Sequence, residues 1–170
     1  MKKLLLGILP FFIFSFMLRA DNPIVSHPDE KEKTLFDNAV EIVKRYEGWH
    51  TVRNAPYIGY GHRLLPGEQL TADLTEAQAD SLLRADLIKR CAVFRGFGKD
   101  SLLLATLAYN VGHNRLLGYG KTPKSKLICK LEQGDRDIYE EYISFRMYRG
   151  KVIPSLERRR KEEFKLLFKQ

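Results

Sequence analysis

The sequence predicts a mainly α domain (α+β), in which a helical body carries a small β-hairpin or loop excursion near its N-terminus. Three observations predict it. Apolar residues recur at i, i+4 and i+7, as in Phe36, Val40 and Val43, which is the spacing of one helix face. A single stretch, residues 49–67, breaks that period. It sets Pro56, Gly59, Gly61, Pro66 and Gly67 among Tyr57, Ile58 and Tyr60, a mixture of turn formers with aromatic and β-branched residues that reads as a hairpin or irregular loop. Finally, 170 residues with 44% hydrophobic and 29% charged content suit one globular domain, and exclude a disordered, collagen-like or multi-span membrane chain.

The chain opens on a segment that is not part of this fold. Lys2 and Lys3 precede a charge-free, mostly apolar run of 15 residues, 4–18, interrupted by Pro10 and followed by Ala20. A spanning helix needs about 20 apolar residues. The pattern is that of an export signal over residues 1–20, with a retained anchor as the alternative. No Cys follows closely, which argues against a lipoprotein. Residues 21–33 are polar with two prolines and read as a leader with little structure, so the domain proper is 34–170. Export makes Cys91 and Cys129 candidates for a disulfide, the alternative being two small residues packed on separate helices.

The elements follow in order. Thr34 with Asp37 loosely resembles a capping box and starts a helix ending near Gly48. After the glycine-rich stretch, Thr75 and Gln78 form a clearer box, and Leu83, Leu87 and Cys91 share the face of the helix they open. Ser101 starts a helix that is apolar nearly all round, hence central and buried, and Gly112 ends it. Ser125 starts another, stopped by Gly134. Residues 135–148 read as an amphipathic helix on Ile138, Tyr142 and Phe145. Pro154 suits the first turn of a last helix that runs to about Phe168. Within it, Arg158, Arg159 and Arg160 read as a solvated basic face with Glu162 and Glu163 nearby.

The formal charge is +8, from 29 Lys and Arg against 21 Asp and Glu. Residues 1–20 contribute three of those charges, so the exported chain carries +5. Basic residues are spread along the sequence and mixed with acids, without the clustered basic and stacking groups of a nucleic-acid binder. An exported basic domain finds its counter-charge in the anionic cell envelope.

Several segments now resemble one family. They are Tyr46-Glu47-Gly48 followed by Ile58-Gly59-Tyr60-Gly61-His62, then Ala108-Tyr109-Asn110-Val111-Gly112, then Lys151 to Leu156 with Arg159, Arg160 and Glu163. Over about residues 37–168, their order is similar to that of the phage-type lysozymes of glycoside hydrolase family 24. The resemblance implies a lysozyme-like fold and a bacteriolytic glycosidase of the periplasm or cell wall. It would cut the β-1,4 bond between N-acetylmuramic acid and N-acetylglucosamine, in a cleft between the β excursion and the helical body. It implies glycan strands of peptidoglycan as the partner, a monomer, no cofactor and no metal. No nucleic acid is expected, nor any membrane span once the signal is removed.

Glu47 is the expected catalytic acid. Its i+4 spacing from Val43 puts it on the apolar face at a helix end, where a carboxyl is costly unless paired or functional. Read without the resemblance, it is equally a solvated terminal Glu or the partner of a Lys or Arg. Glycosidases usually use two carboxylates. The family pattern has an Asp nine residues after its Glu and a Thr six further on. Here the ninth residue is Pro56, Tyr57 stands ten after Glu47 where the Thr would be, and no acid occurs between Glu47 and Glu68. Three readings follow: a hydrolase with water held by His50, Thr51, Asn54 or Tyr57; a lytic transglycosylase using Glu47 alone and leaving 1,6-anhydro ends; or a non-catalytic wall-binding module of a secretion or transfer apparatus. Tyr57, Tyr60 and Trp49 either face sugar rings or pack. His62 is expected to hold the loop, paired to a carboxylate on the body. Asn110, in an apolar helix, must satisfy its amide by bonding the hairpin or facing the cleft.

Overall fold

A computed structural model of the chain describes residues 30–170. The expected signal segment, 1–20, and the leader up to residue 29 lie outside the described residues. Seven α-helices and two small hairpins follow. Helix α1 (Glu30–Glu47) begins four residues ahead of Thr34, so Thr34 and Asp37 lie inside a helix and do not cap it. The chain expected to be a leader up to residue 33 is helical from Glu30. Val40 and Val43 of α1 meet Leu83 and Leu87 of α2 (Glu76–Val93) in a small buried seam. Helix α2 starts as the sequence predicts: Gln78 N–H donates to Thr75 Oγ1 at 3.3 Å, and Thr75 N–H donates to Gln78 Oε1 at 2.8 Å. Two amides that a helix start leaves open are thereby satisfied. Among the described residues, no helix is long and apolar enough to cross a membrane.

Helix α3 (Ser101–Val111) is the centre of the main core, with residues 103–108 all buried. Around it stand Phe94, Leu116 of α4 (His113–Leu117), Leu127 and Ile128 of α5 (Lys126–Glu132), Tyr142 of α6 (Tyr139–Ile143) and Leu167 of α7 (Pro154–Leu167). Each such leucine stabilises the fold by roughly 1.5–3 kcal/mol. Thr106 is polar in this surrounding, and its hydroxyl donates to the Leu102 carbonyl at 2.8 Å. Cys91 is half-buried, Cys129 is exposed, and both are free thiols.

The first hairpin forms where the helical period breaks. Strands β1 (Tyr57–Ile58) and β2 (His62–Arg63) are antiparallel, with Tyr57 opposite Arg63 and Ile58 opposite His62. A bridge between His50 and Gly59 extends it. The second hairpin corrects the sequence reading. Residues 135–148 do not form one helix: α6 lasts five residues, a 3₁₀ turn follows (Ser144–Arg146), and β3 (Met147–Tyr148) pairs with β4 (Lys151–Val152). Arg149 and Gly150 both take positive φ, 49° and 75°, which gives the two-residue turn that matches strand twist and ends any helix. The apolar face survives the change, since Ile138, Tyr142 and Phe145 are all buried.

The basic run of α7 is also corrected. Arg158 is exposed, but Arg159, Arg160 and Glu163 are 2%, 0% and 0% exposed. Helix α7 packs against both α1 and α3, so the face carrying these three residues is interior. Two buried cations are tolerated because Glu163 holds both. Arg159 Nε donates to Glu163 Oε1 at 2.8 Å, Arg160 Nη1 lies 3.1 Å from Oε2, and the Tyr142 hydroxyl donates to Oε2 at 2.8 Å. Burial, then the charge of Glu163, raises the Tyr142 phenol well above its ordinary value, so it remains a donor. Removing one partner of a buried ion pair costs about 3–5 kcal/mol. Glu163→Gln is therefore expected to lose stability of that size in denaturant titrations. A loss under about 1 kcal/mol would show that the arginines do not depend on this carboxylate.

Candidate functional site

The last turn of α1 delivers Glu47 to the junction of hairpin and body. Val43 and Val40 bury the same face one and two turns earlier, so Glu47 follows them inward by helical spacing. Its side chain is 19% exposed. Oε1 accepts from Arg159 Nη1 at 2.7 Å. Arg159 also lies over the Tyr46 ring, 5.6 Å from its centroid. Burial works against the charge of Arg159, but the carboxylates of Glu163 and Glu47 outweigh it and hold the guanidinium more basic than usual. Its Nη2 is buried without a hydrogen-bond partner.

The network continues across the body. Arg160 Nη2 donates to Asn110 Oδ1 at 3.1 Å, so Asn110 bonds α7 and not the hairpin. Its neighbour Tyr109 makes the hairpin contact instead, donating to the Tyr60 carbonyl at 3.0 Å. Burial, then Asp86, pushes the Tyr109 phenol far above its ordinary value, and the Arg90 guanidinium covers its ring at 4.5 Å. Glu47, Arg159, Glu163, Arg160 and Asn110 thus form one chain of contacts joining α1, α7 and α3.

Close backbone approach puts the hairpin against Glu47. A Cβ on Gly61 would lie 3.5 Å from Tyr109 Cε1 and 3.7 Å from Glu47 Cγ, with φ at +91°. A Cβ on Gly59, at φ +54°, would lie 2.9 Å from Ala79 Cβ. Conformation favours glycine at both, and at Gly59 space requires it as well. His62 is 4% exposed. Its Nδ1 is 2.7 Å from Asp86 Oδ2 on α2, and its Nε2 is 3.0 Å from Glu68 Oε2. Both ring nitrogens are engaged, so His62 ties the hairpin to α2 and to the loop that follows.

The remaining sequence candidates divide. Thr51 and Asn54 cap a 3₁₀ turn (Val52–Asn54): Thr51 N–H donates to Asn54 Oδ1 at 2.9 Å, and Arg53 N–H to Thr51 Oγ1 at 3.4 Å. Tyr60 packs edge-on to Trp49 at 5.3 Å, and its hydroxyl donates to Glu76 Oε1 at 3.3 Å. Tyr57 is 43% exposed, with its ring 6.1 Å from that of His50. His50 N–H donates to the Gly59 carbonyl at 2.7 Å, and His50 Nδ1 is buried without a partner. Sequence reasoning missed Arg159, Arg160 and Glu163 as interior groups, and also Tyr109, Asp86 and Glu68. A signal was present in α7, where Glu163 stands four after Arg159 and three after Arg160, the spacings at which helical side chains meet. Among the described residues, no cluster of His, Cys, Asp and Glu is arranged to hold a metal.

Comparison with known proteins fits this geometry. The sequence model described as phage lysozyme matches residues 44–163, from the last turns of α1 to the buried glutamate of α7. No curated protein sequence matches the chain. Among solved structures, the muramidase domain of SpmX from Asticaccaulis excentricus is similar in fold, with a TM-score of 0.60 at 22% identity, covering 78% of this chain and 95% of that one.

The loop clamp gives the site a pH dependence. The Leu65 N–H, then His62, hold the Glu68 carboxyl below its ordinary value of 4.5. A carboxyl that is more acidic when folded stabilises the fold above its unfolded value, and loses that contribution as pH falls through the lower folded value. The stability of the wild-type chain over Glu68→Gln is therefore expected to shrink as the pH falls below the ordinary Glu value of about 4.5, followed by thermal melts. A difference independent of pH would remove Glu68 from the clamp.

Proposed function

Since the chain belongs to the phage lysozyme family, we propose that it cleaves the glycan strands of peptidoglycan at the β-1,4 bond between N-acetylmuramic acid and N-acetylglucosamine, with Glu47 as general acid. The observation that carries this reading is the setting of one carboxyl. Glu47 ends a buried helix face, is held from one side by Arg159, and has beside it Gly61 of the hairpin, which has no side chain. Arg159 occupies Oε1. Oε2 has no protein partner among the described residues, so it is the oxygen that carries the proton to the leaving group.

The steps are then simple. Glu47 Oε2–H protonates the glycosidic oxygen, the bond from that oxygen to C1 of the muramyl residue breaks, and positive charge develops at C1. Water adds to C1 and returns its proton to Glu47. The Thr51 hydroxyl and the Asn54 side-chain oxygen serve their turn. Of the candidate water-holding groups, the exposed Tyr57, beside His50, is the one we assign to the water. His62 and Asn110 shape the site without touching the bond that breaks.

A second reading rests on the neighbouring carboxylates. Glu68 and Asp86 are engaged by His62, Asp80 by Lys44 and Arg84, Glu162 by Arg45 and Tyr46, and Glu163 by the two buried arginines. A lytic transglycosylase needs no second carboxylate to activate water and can use Glu47 alone. The muramyl 6-hydroxyl attacks C1, gives its proton to Glu47, and leaves a 1,6-anhydro end. Both reactions belong outside the cytoplasm, in the periplasm or cell wall, and are consistent with a monomer acting by itself or within an envelope-spanning apparatus.

General acid catalysis contributes about 10²–10⁴-fold. Glu47→Gln is expected to lose at least about a hundredfold in release of soluble fragments from purified peptidoglycan. Wild-type turnover in that variant would remove Glu47 from the chemistry. Mass spectrometry of the wild-type products separates the two reactions, with reducing ends for hydrolysis and 1,6-anhydro ends for transglycosylation.

A further inference from the structure

A separate concavity lies at the end of the body where α1 begins, and it has no part in the chemistry of Glu47. Its volume is about 720 Å³, within the range of roughly 300–1,000 Å³ typical of small-molecule sites. Leu35 and Phe36 of α1, Ile88 of α2, Leu102 of α3 and Leu167 of α7 make an apolar floor. Ile88 is 59% exposed, unusual for a large apolar residue that shares a hollow with four others. Arg95, Lys99 and Lys169 also line the hollow, with no acid among the described residues that do. The acid next to Lys99, Asp100, is buried and taken by Arg136.

An apolar floor with a cationic rim matches the chemistry of an acyl chain bearing an anionic headgroup. The place of the hollow in the chain points to the source. The charge-free run 4–18 ends eleven residues before α1, and eleven extended residues reach about 40 Å at most. While that run occupies a bilayer, the start of α1 is the end of the body held beside it, and Leu35 and Phe36 near that start line the hollow. We propose that this face seats on an anionic bilayer surface, taking a phospholipid acyl chain against Leu35, Phe36 and Ile88, with its headgroup at Arg95, Lys99 and Lys169.

The test uses residues 21–170, which retain every described element and lack the apolar run. Co-sedimentation is measured with vesicles of phosphatidylglycerol and phosphatidylcholine, and with phosphatidylcholine alone. Binding to the anionic vesicles only is expected. Arg95→Gln and Lys99→Gln should each weaken it about fivefold, the effect of one cation at an anionic surface, and Ile88→Ser about tenfold. Lys121→Gln and Lys126→Gln, which change the same charge outside the hollow, should leave it within about twofold. Equal weakening by the two control variants, or no effect of Ile88→Ser, would reduce the binding to attraction by net charge and overturn the proposal. Binding of soluble oleate without binding to vesicles would overturn the membrane source. Peptidoglycan cleavage by the groove variants should stay at the wild-type level, so this proposal and the assignment of Glu47 fail separately.

Discussion

The carboxylate of Glu163 is the constraint on which the rest of the structure depends. Two guanidinium groups have been taken out of water, and an isolated buried charge is not tolerated. Glu163 neutralises both from within α7, and Tyr142 completes its hydrogen bonding from α6. Only with that done are the outer edges of the arginines available to other elements. Arg159 reaches α1 at Glu47 and Arg160 reaches α3 at Asn110. The last helix is thus joined to the first and to the central one by polar contacts inside an otherwise apolar body. Such contacts are directional, so they fix the rotation of α7 more narrowly than leucines would.

The hairpin is positioned by a different logic. It is too short to be stable alone, and three kinds of contact hold it. Gly59 seats its backbone on the first turns of α2, Tyr109 bonds the Tyr60 carbonyl, and His62 is clasped by Asp86 and Glu68. Trp49 and Tyr60, whose flat faces suit sugars, meet edge to face, with Trp49 still exposed. What remains toward Glu47 is bare backbone at Gly61. The hairpin's contribution to the site is therefore mostly shape, and the charged chemistry comes from the body.

Much of this was legible in the sequence, and what was not has identifiable causes. The Thr75–Gln78 cap, the buried α3, the hairpin among the glycines and the inward placement of Glu47 follow from local pattern, because each depends on residues within a turn or two of one another. The start of α1 and the end of α6 are not legible in this way. The polarity of residues 30–33 reads as a loop, and the apolar period running on through Phe145 hides the Arg149–Gly150 turn. Burial of Arg159 and Arg160 is hidden for a different reason. A charged triplet at helical spacing reads as a solvated face unless its partners are known, and those partners, Glu47 and Asn110, lie 112 and 50 residues away. The role of Tyr109 was hidden in the same way, since its contact with Tyr60 spans 49 positions. Local spacing reports what a segment prefers; it does not report which distant segment comes to meet it.

The separation of Glu47 from Arg159 has a consequence in time. A ribosome or a translocon delivers the chain from its N-terminus, so the acid emerges early and the arginine that orients it emerges almost last. Between those moments every helix except α7 has appeared, yet Glu47 has nothing to hold it. The contact that joins α1 to α7 through Glu47 and Arg159 therefore forms only once the last helix has arrived.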